Sequence, residues 1–301
     1  MKIPAHTRIS NSAAKRWRRL DHALGARFRR TVGVSARAAE PELVVSLTTI
    51  AERVSTIHLC LDSLLRQTRR PDRLVLWLNR TEAPDRPRLT PETLPRSLTR
   101  LLVRGLTIEW CEDLGPHCKL LPALRRFPRA RIATADDDIL YAPDWLASLA
   151  AAQEREPACL HCHRGHLMRY AADGSLRPYA EWGKLAAGVS GATPDLFPTG
   201  VGGVLYAPGD LAPEVFNAAA FRALCPRADD VWFKAMSLLA GKACRLVPHS
   251  SFRDHRCELK VARRHNLRAF NVAGGGNDRQ LRAVAARYPV FRRAPGAGGR
   301  S

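Results

Sequence analysis

Three consecutive carboxylates, Asp136-Asp137-Asp138, stand directly after the apolar run Arg131–Ala135. Neighbouring carboxylates repel one another. In a partly desolvated crevice that repulsion raises their pKa values unless a cation is present. Hard oxygen ligands in an open crevice suit Mg2+ or Mn2+ carrying a diphosphate. A second acidic pair, Asp229-Asp230, precedes the apolar stretch Val231–Ala240. A carboxylate there either caps the helix or takes a proton from an attacking hydroxyl; the expectation is that one caps and the other faces the site. Lys119 is one of seven lysines in the chain and precedes a helix start, a place that favours anions. Its plain alternative is a solvated side chain.

Such residues need a frame. Leu43–Leu47 and Leu74–Leu78 are apolar runs of strand length, as are Leu106–Cys111 and Arg131–Ala135. Between them, Val54–Gln67 sets Val54, Ile57, Leu61, Leu64 and Leu65 on one helical face. Pro91–Leu102 reads as a helix with Thr90 as cap, and Leu120–Phe127 as a short one with Pro122 in its first turn. Strand and helix alternating at this spacing predict a parallel sheet covered on both faces. Ligands of such sheets bind beyond the carboxyl ends of the strands. Those ends carry Thr48-Thr49, Asn79-Arg80, Glu112-Asp113 and the acidic triplet. Neither a G-x-G-x-x-G turn after the first strand nor a G-x-x-x-x-G-K-[ST] loop occurs, which disfavours a dinucleotide dehydrogenase and a P-loop enzyme.

The run Val45-Ser46-Leu47-Thr48-Thr49-Ile50 with Glu52-Arg53, then Ser63-Leu64-Leu65-Arg66-Gln67 and Pro71-Asp72, resembles the opening of a family-2-like glycosyltransferase of the GT-A fold. Leu114-Gly115-Pro116 with Lys119-Leu120, then Ala135-Asp136-Asp137-Asp138-Ile139 and Tyr141, is similar to the stretch ending in that fold's D-x-D motif. Cys225-Pro226-Arg227-Ala228-Asp229-Asp230-Val231-Trp232 resembles the later acidic segment on the acceptor side. The resemblance spans roughly residues 43–280, and an ordered set at domain scale says more than one short motif. It implies an α/β fold: a Rossmann-like nucleotide-binding half with a mainly parallel sheet, over 41–140, then an acceptor-side α/β half, over 141–288.

The resemblance also implies roles. Asp136 and Asp138 match the D-x-D ends, Asp138 as metal ligand and Asp136 facing the ribose or the metal. Thr48 and Thr49 would lie near the base and ribose, and Lys119 would approach the diphosphate; Asp113 is a substrate-binding candidate by its place at the end of the third strand. Asp229 or Asp230 would be the catalytic carboxylate, and His255 in Arg-Asp-His-Arg a late metal ligand. Gly202 and Gly203 would form a turn beside the donor sugar or acceptor; the alternative is a tight turn entering a buried strand. The implied activity is metal-dependent transfer of a sugar from a nucleoside-diphosphate sugar to a glycan or lipid-linked acceptor, with Mn2+ or Mg2+ as cofactor.

Cys159, His161, Cys162, His163 and His166 invite a zinc reading, but Cys-x-x-Cys followed by His-x-x-His lacks the long loop of a zinc finger. Strand alternation also points Cys162 away from His161 and His163. A strand ending in a polar loop is the favoured reading. His249 reads as a loop histidine after the strand Ala243–Val247, and Asp144 as part of a turn or first helical turn. Gly274-Gly275-Gly276-Asn277-Asp278 reads as a loop able to close over substrate.

The chain has 301 residues and a net charge of +20, with 46% hydrophobic residues, which excludes wholesale disorder. No apolar run approaches the roughly 18 residues of a membrane span. Eight scattered cysteines fit reduced thiols in a cytosol. Residues 1–40 form a basic arm. There Trp17, Leu20, Leu24 and Phe28 suit an amphipathic helix, so peripheral contact at the inner membrane face joins a cytoplasmic location as an expectation. Residues 289–301 read as a flexible tail. A basic nucleic-acid-binding protein is the competing class. It is disfavoured because exposed aromatics do not interleave the basic residues and no helix-turn-helix, RRM or zinc-finger signature appears. A metal-dependent nucleotidyltransferase shares the crevice and would release pyrophosphate instead.

Overall fold

The structure is a computed structural model describing residues 33–79, 89–183, 189–249, 257–259, 270–271 and 274–293. Most of the basic arm, Arg80 and His255 lie outside the described residues. The four strands of the first half, and the helices after the first and third of them, form where the sequence predicts. Strand β1 (Leu43–Thr48) is followed by helix α1 (Ile57–Leu65), and β2 (Arg73–Asn79) by a broken helical segment containing α2 (Arg96–Thr99). Then come β3 (Leu106–Cys111), α3 (Leu121–Arg126) and β4 (Arg131–Thr134). The four strands are parallel, in the order β3-β2-β1-β4.

The second half continues the same sheet. It contains β5 (Ile139–Leu140), α4 (Trp145–Arg155), β6 (Leu160–Cys162), β7 (Gly165–Leu167), β8 (Ala192–Thr193), β9 (Leu196–Pro198), β10 (Val204–Tyr206), α5 (Ala218–Leu224), α6 (Asp229–Leu239), β11 (Cys244–Leu246), β12 (Cys257–Glu258) and α7 (Gly276–Arg287). The eight-stranded order is β3-β2-β1-β4-β10-β6-β11-β8. Strand β10 runs antiparallel to both β4 and β6, so the sheet is mixed where the two halves meet.

Strand alternation builds two cores. Leu43, Val45 and Leu47 of β1, with Leu74, Leu76 and Leu78 of β2, face α1, where Ile57, Leu61, Leu64 and Leu65 have no exposed surface. Each such side chain stabilises by about 1.5–3 kcal/mol relative to exposure. Val44, Val75, Trp77 and Ile132 point the other way, into a core shared with Trp232, Phe233 and Met236 of α6. Gln67 ends α1 cleanly: its amide donates to the Ser63 carbonyl at 3.0 Å.

Three expectations are corrected. Pro91–Leu102 is not one helix: it is divided into single turns at Pro91–Thr93, Arg96–Thr99 and Leu102–Arg104, with Pro95 standing before the second and Gly105, at φ +92°, ending the third. The glycine stretch 274–278 is not an open loop. Gly276 starts α7 with a Cβ position only 2.7 Å from the Phe270 carbonyl, and Asp278 accepts the Tyr179 backbone N–H at 2.8 Å. The tail does not begin at 289: Phe291 is buried in the second core and Arg293 pairs with Asp195.

Behind α1, Arg104 Nη1 lies 2.6 Å from Asp62 Oδ1, and both side chains are almost fully buried. Removing Arg104 takes away the closest charge partner of a buried carboxylate, whose other cation, Arg66, is 3.7 Å away. Arg104→Leu is therefore expected to lower unfolding free energy by about 3–5 kcal/mol in denaturant titration. A loss below about 1 kcal/mol would place the pair in surface-like solvent.

Candidate functional site

The acidic triplet follows β4 at the carboxyl edge of the parallel strands. Its three members do different things. Asp137 turns inward: Thr49 Oγ1 donates to its Oδ2 at 2.6 Å and Arg53 Nη1 to its Oδ1 at 2.8 Å. Burial raises its pKa, against the lowering effect of the Arg53 charge and the Thr49 hydroxyl. Asp136 and Asp138 flank it with side chains 27% and 31% exposed, toward the crevice. The loop is pinned from behind. Tyr141 Oη accepts the Asp136 N–H at 2.8 Å, and the Cys60 thiol donates to the Asp136 carbonyl at 3.3 Å. Leu259 N–H donates to the Asp138 carbonyl at 2.7 Å, beside the short β5–β12 ladder.

Lys119 joins the two acidic segments. Its Nζ lies 2.8 Å from Asp136 Oδ1 and 2.9 Å from Asp229 Oδ2, with the side chain 10% exposed. Burial alone would lower its pKa; the charges of Asp136, Asp229 and Asp230 outweigh that and raise it well above the usual lysine value. Its backbone is fixed by two buried side chains. Ser46 Oγ donates to the Lys119 carbonyl at 2.6 Å, and Trp77 Nε1 donates to Ser46 Oγ at 2.9 Å. The turn Gly115–Lys119 is entered through Asp113, whose Oδ1 accepts the Gly115 N–H at 2.8 Å.

Neither acid of the second pair caps its helix. Residue 228 is the N-cap and is an alanine, so Asp229 and Asp230 both occupy the first turn of α6 and both turn toward Lys119. Asp230 Oδ1 accepts the Gly200 N–H at 2.9 Å. Burial first, then the Asp229 charge, push its pKa up to about 7. A Cβ on Gly200 would sit 2.8 Å from Lys119 Nζ and 3.0 Å from Asp230 Oδ1, so a larger residue there would push directly on this centre.

Other sequence-predicted residues fall around this centre. Thr48 Oγ1 donates to the Trp77 carbonyl at 2.9 Å, tying β1 to β2. Gly202 and Gly203 face away from the carboxylates: Gly203, at φ +91°, packs on the Trp145 ring, whose Nε1 donates to the Gly202 carbonyl at 2.8 Å. His249 is buried with its Nε2 3.1 Å from Asp144 Oδ1. Ser46, Arg53, Trp77 and Gly200 belong to the site as well. Arg53 carries a charge complementary to the triplet and Gly200 lies in the glycine-rich turn Pro198–Tyr206, both usable signals; Ser46 and Trp77 give none, since their parts depend on register.

No protein-family model matches the chain, and no curated protein matches it. Among solved structures it is similar to the mannosyltransferase PcManGT from Pyrobaculum calidifontis, determined in complex with GDP-Man and Mn2+. The TM-score is 0.50 at 16% identity, over 94% of this chain and 78% of that one. This likeness is one of fold. The mixed α/β sheet, parallel in its first half, has the architecture that the GT-A resemblance implied.

The different duties within the triplet are separable by stability. Asp137→Ala leaves Arg53 without its nearest buried partner and is expected to cost about 3 kcal/mol or more in denaturant unfolding. Asp138→Ala, on the open side, is expected to change stability by under about 1 kcal/mol. Equal losses would contradict this division.

Proposed function

We propose that the chain is a glycosyltransferase that uses a nucleoside-diphosphate sugar as donor and a hydroxyl of a glycan or lipid-linked glycan as acceptor. The observation that carries the reading is Lys119 Nζ within 3 Å of carboxylates from both segments, Asp136 after β4 and Asp229 on α6, at the carboxyl edge of the parallel strands. A sheet edge of this kind is where α/β proteins bind nucleotides. The fold likeness to a mannosyltransferase holding GDP-Man and Mn2+ supports the same reading.

The residues present fit a divalent cation. Five carboxylates, Asp136, Asp137, Asp138, Asp229 and Asp230, gather around two cations, Lys119 and Arg53, and the outer donors are hard oxygens on the open side. Asp136 and Asp138 would hold Mn2+ or Mg2+, which neutralises charge on a leaving diphosphate. Lys119 adds a fixed positive charge on the same side, while Arg53 and Thr49 hold the loop through Asp137. Asp230, with its pKa near 7, is matched to removing a proton from an acceptor hydroxyl. The Gly200 N–H fixes which oxygen of Asp230 is engaged and leaves the other for the acceptor.

The test is hydrolysis and transfer with a panel of nucleotide sugars, with and without Mn2+. At least one donor should turn over in wild type, with Asp138→Ala reduced by about 10²-fold or more, as expected for loss of charge stabilisation. A panel with no turnover and no Mn2+-dependent nucleotide binding would overturn the reading; release of pyrophosphate would favour a nucleotidyltransferase. Because a base works only when ionised, the rate should fall as pH drops through about 7. Asp230→Asn should abolish that limb along with most of the rate. A rate flat from pH 5 to pH 8 would remove Asp230 from the role.

A further inference from the structure

We infer that Glu156, Cys159 and His161 form a binding site for a zinc-class cation, separate from the carboxylate cluster. Sequence spacing favoured no zinc site among the cysteines and histidines of 159–166, and the structure separates that group. Cys162 is buried in the core facing α6, and the ring nitrogens of His163 lie 2.8 Å from the Val247 carbonyl and 2.9 Å from the Trp145 carbonyl. Cys159 and His161, two apart around β6, instead share one side with Glu156 at the end of α4. One donor atom from each lies within 4.8 Å of the others.

The spacing is that of ligands on one ion. Cys159 Sγ and His161 Nε2 are 3.8 Å apart. A tetrahedral ion with sulfur at about 2.3 Å and nitrogen at about 2.0–2.1 Å holds these donors roughly 3.6 Å apart. The second observation is the ring itself. His161 has no exposed surface, and the ring nitrogen turned to Cys159 Sγ is Nε2, the atom that would take the ion. Glu156 is partly exposed and supplies the entry side. Its Oε2 is 2.6 Å from Arg245 Nη1, which keeps the carboxylate oriented. Thiol, imidazole and carboxylate together suit zinc better than magnesium or calcium. On binding, the Cys159 S–H bond breaks, sulfur keeps the electron pair for the metal, and the proton passes to solvent.

Topology places this site away from the proposed chemistry. Strands β4 and β6 both run antiparallel to β10, so they run the same way. The triplet follows the end of β4, whereas Cys159 and His161 flank the start of β6, at the opposite edge of the sheet. A cation there would tie the α4 end to β6 and, through Arg245, to β11.

Cobalt(II) is the probe. Titration of the full chain should give a near-ultraviolet thiolate-to-cobalt band saturating at one equivalent and displaced by Zn2+. The band should persist in Asp138→Ala and vanish in Cys159→Ser. Glu156→Gln, at a partly exposed position, should weaken cobalt affinity by at least about tenfold, and it decides the matter should Cys159→Ser fail to fold. No thiolate band in wild type, a full band in folded Cys159→Ser, or unchanged affinity in Glu156→Gln would each overturn the site.

Discussion

A buried ammonium between carboxylates from two distant segments is the interaction on which the site depends. Asp136 and Asp229 are far apart in sequence, and both belong to acidic runs whose members repel one another. Without a cation between them, burial would drive protons onto them or drive the segments apart. Lys119 prevents both, at 2.8 and 2.9 Å. Its position comes from the core: Trp77 holds Ser46, Ser46 holds the Lys119 carbonyl, and β1 and β2 hold the first two in register. Hydrophobic burial in the first half of the sheet is thus converted into the position of one charge.

The same logic explains why neighbours in the triplet differ. The chain leaves β4 through a turn at Asp137 and Asp138, so the three side chains do not share one side. Asp137 therefore meets Thr49 and Arg53 inside, while Asp136 and Asp138 face outward. The inner acid supplies rigidity, and under the proposed function the outer ones would supply ligand oxygens. A site for a divalent ion would need both, since loose carboxylates would spend binding energy on their own ordering.

Much of this was legible in the sequence, for identifiable reasons. The four parallel strands and α1 are long apolar runs with clear periods, and β3 and α3 fall where periodicity puts them. Composition at a strand end pointed to Asp136 and Asp138, while a helix start pointed to Lys119 and the segment before an apolar helix to the Asp229-Asp230 pair. The broken helix after β2 was hidden because Pro95 interrupts an otherwise helical pattern. The start of α7 was hidden because a run of glycines reads as a loop, when the small residues are there to admit the Phe270 backbone. The expected division between a capping and a site-facing aspartate failed because the helix begins one residue earlier, at a cap without a polar side chain. That Gly200, and not Gly202 or Gly203, meets Lys119 and Asp230 depends on three-dimensional approach, which spacing alone does not reveal.

The most direct measurement of the central claim is nucleoside-diphosphate binding by Lys119→Met, followed calorimetrically with Mn2+ present and with folding checked by circular dichroism. Methionine keeps the length of the side chain and removes its charge. The account expects a folded protein whose affinity falls about 10- to 100-fold, the scale of one charge-assisted hydrogen bond. Wild-type affinity in the folded variant would contradict it.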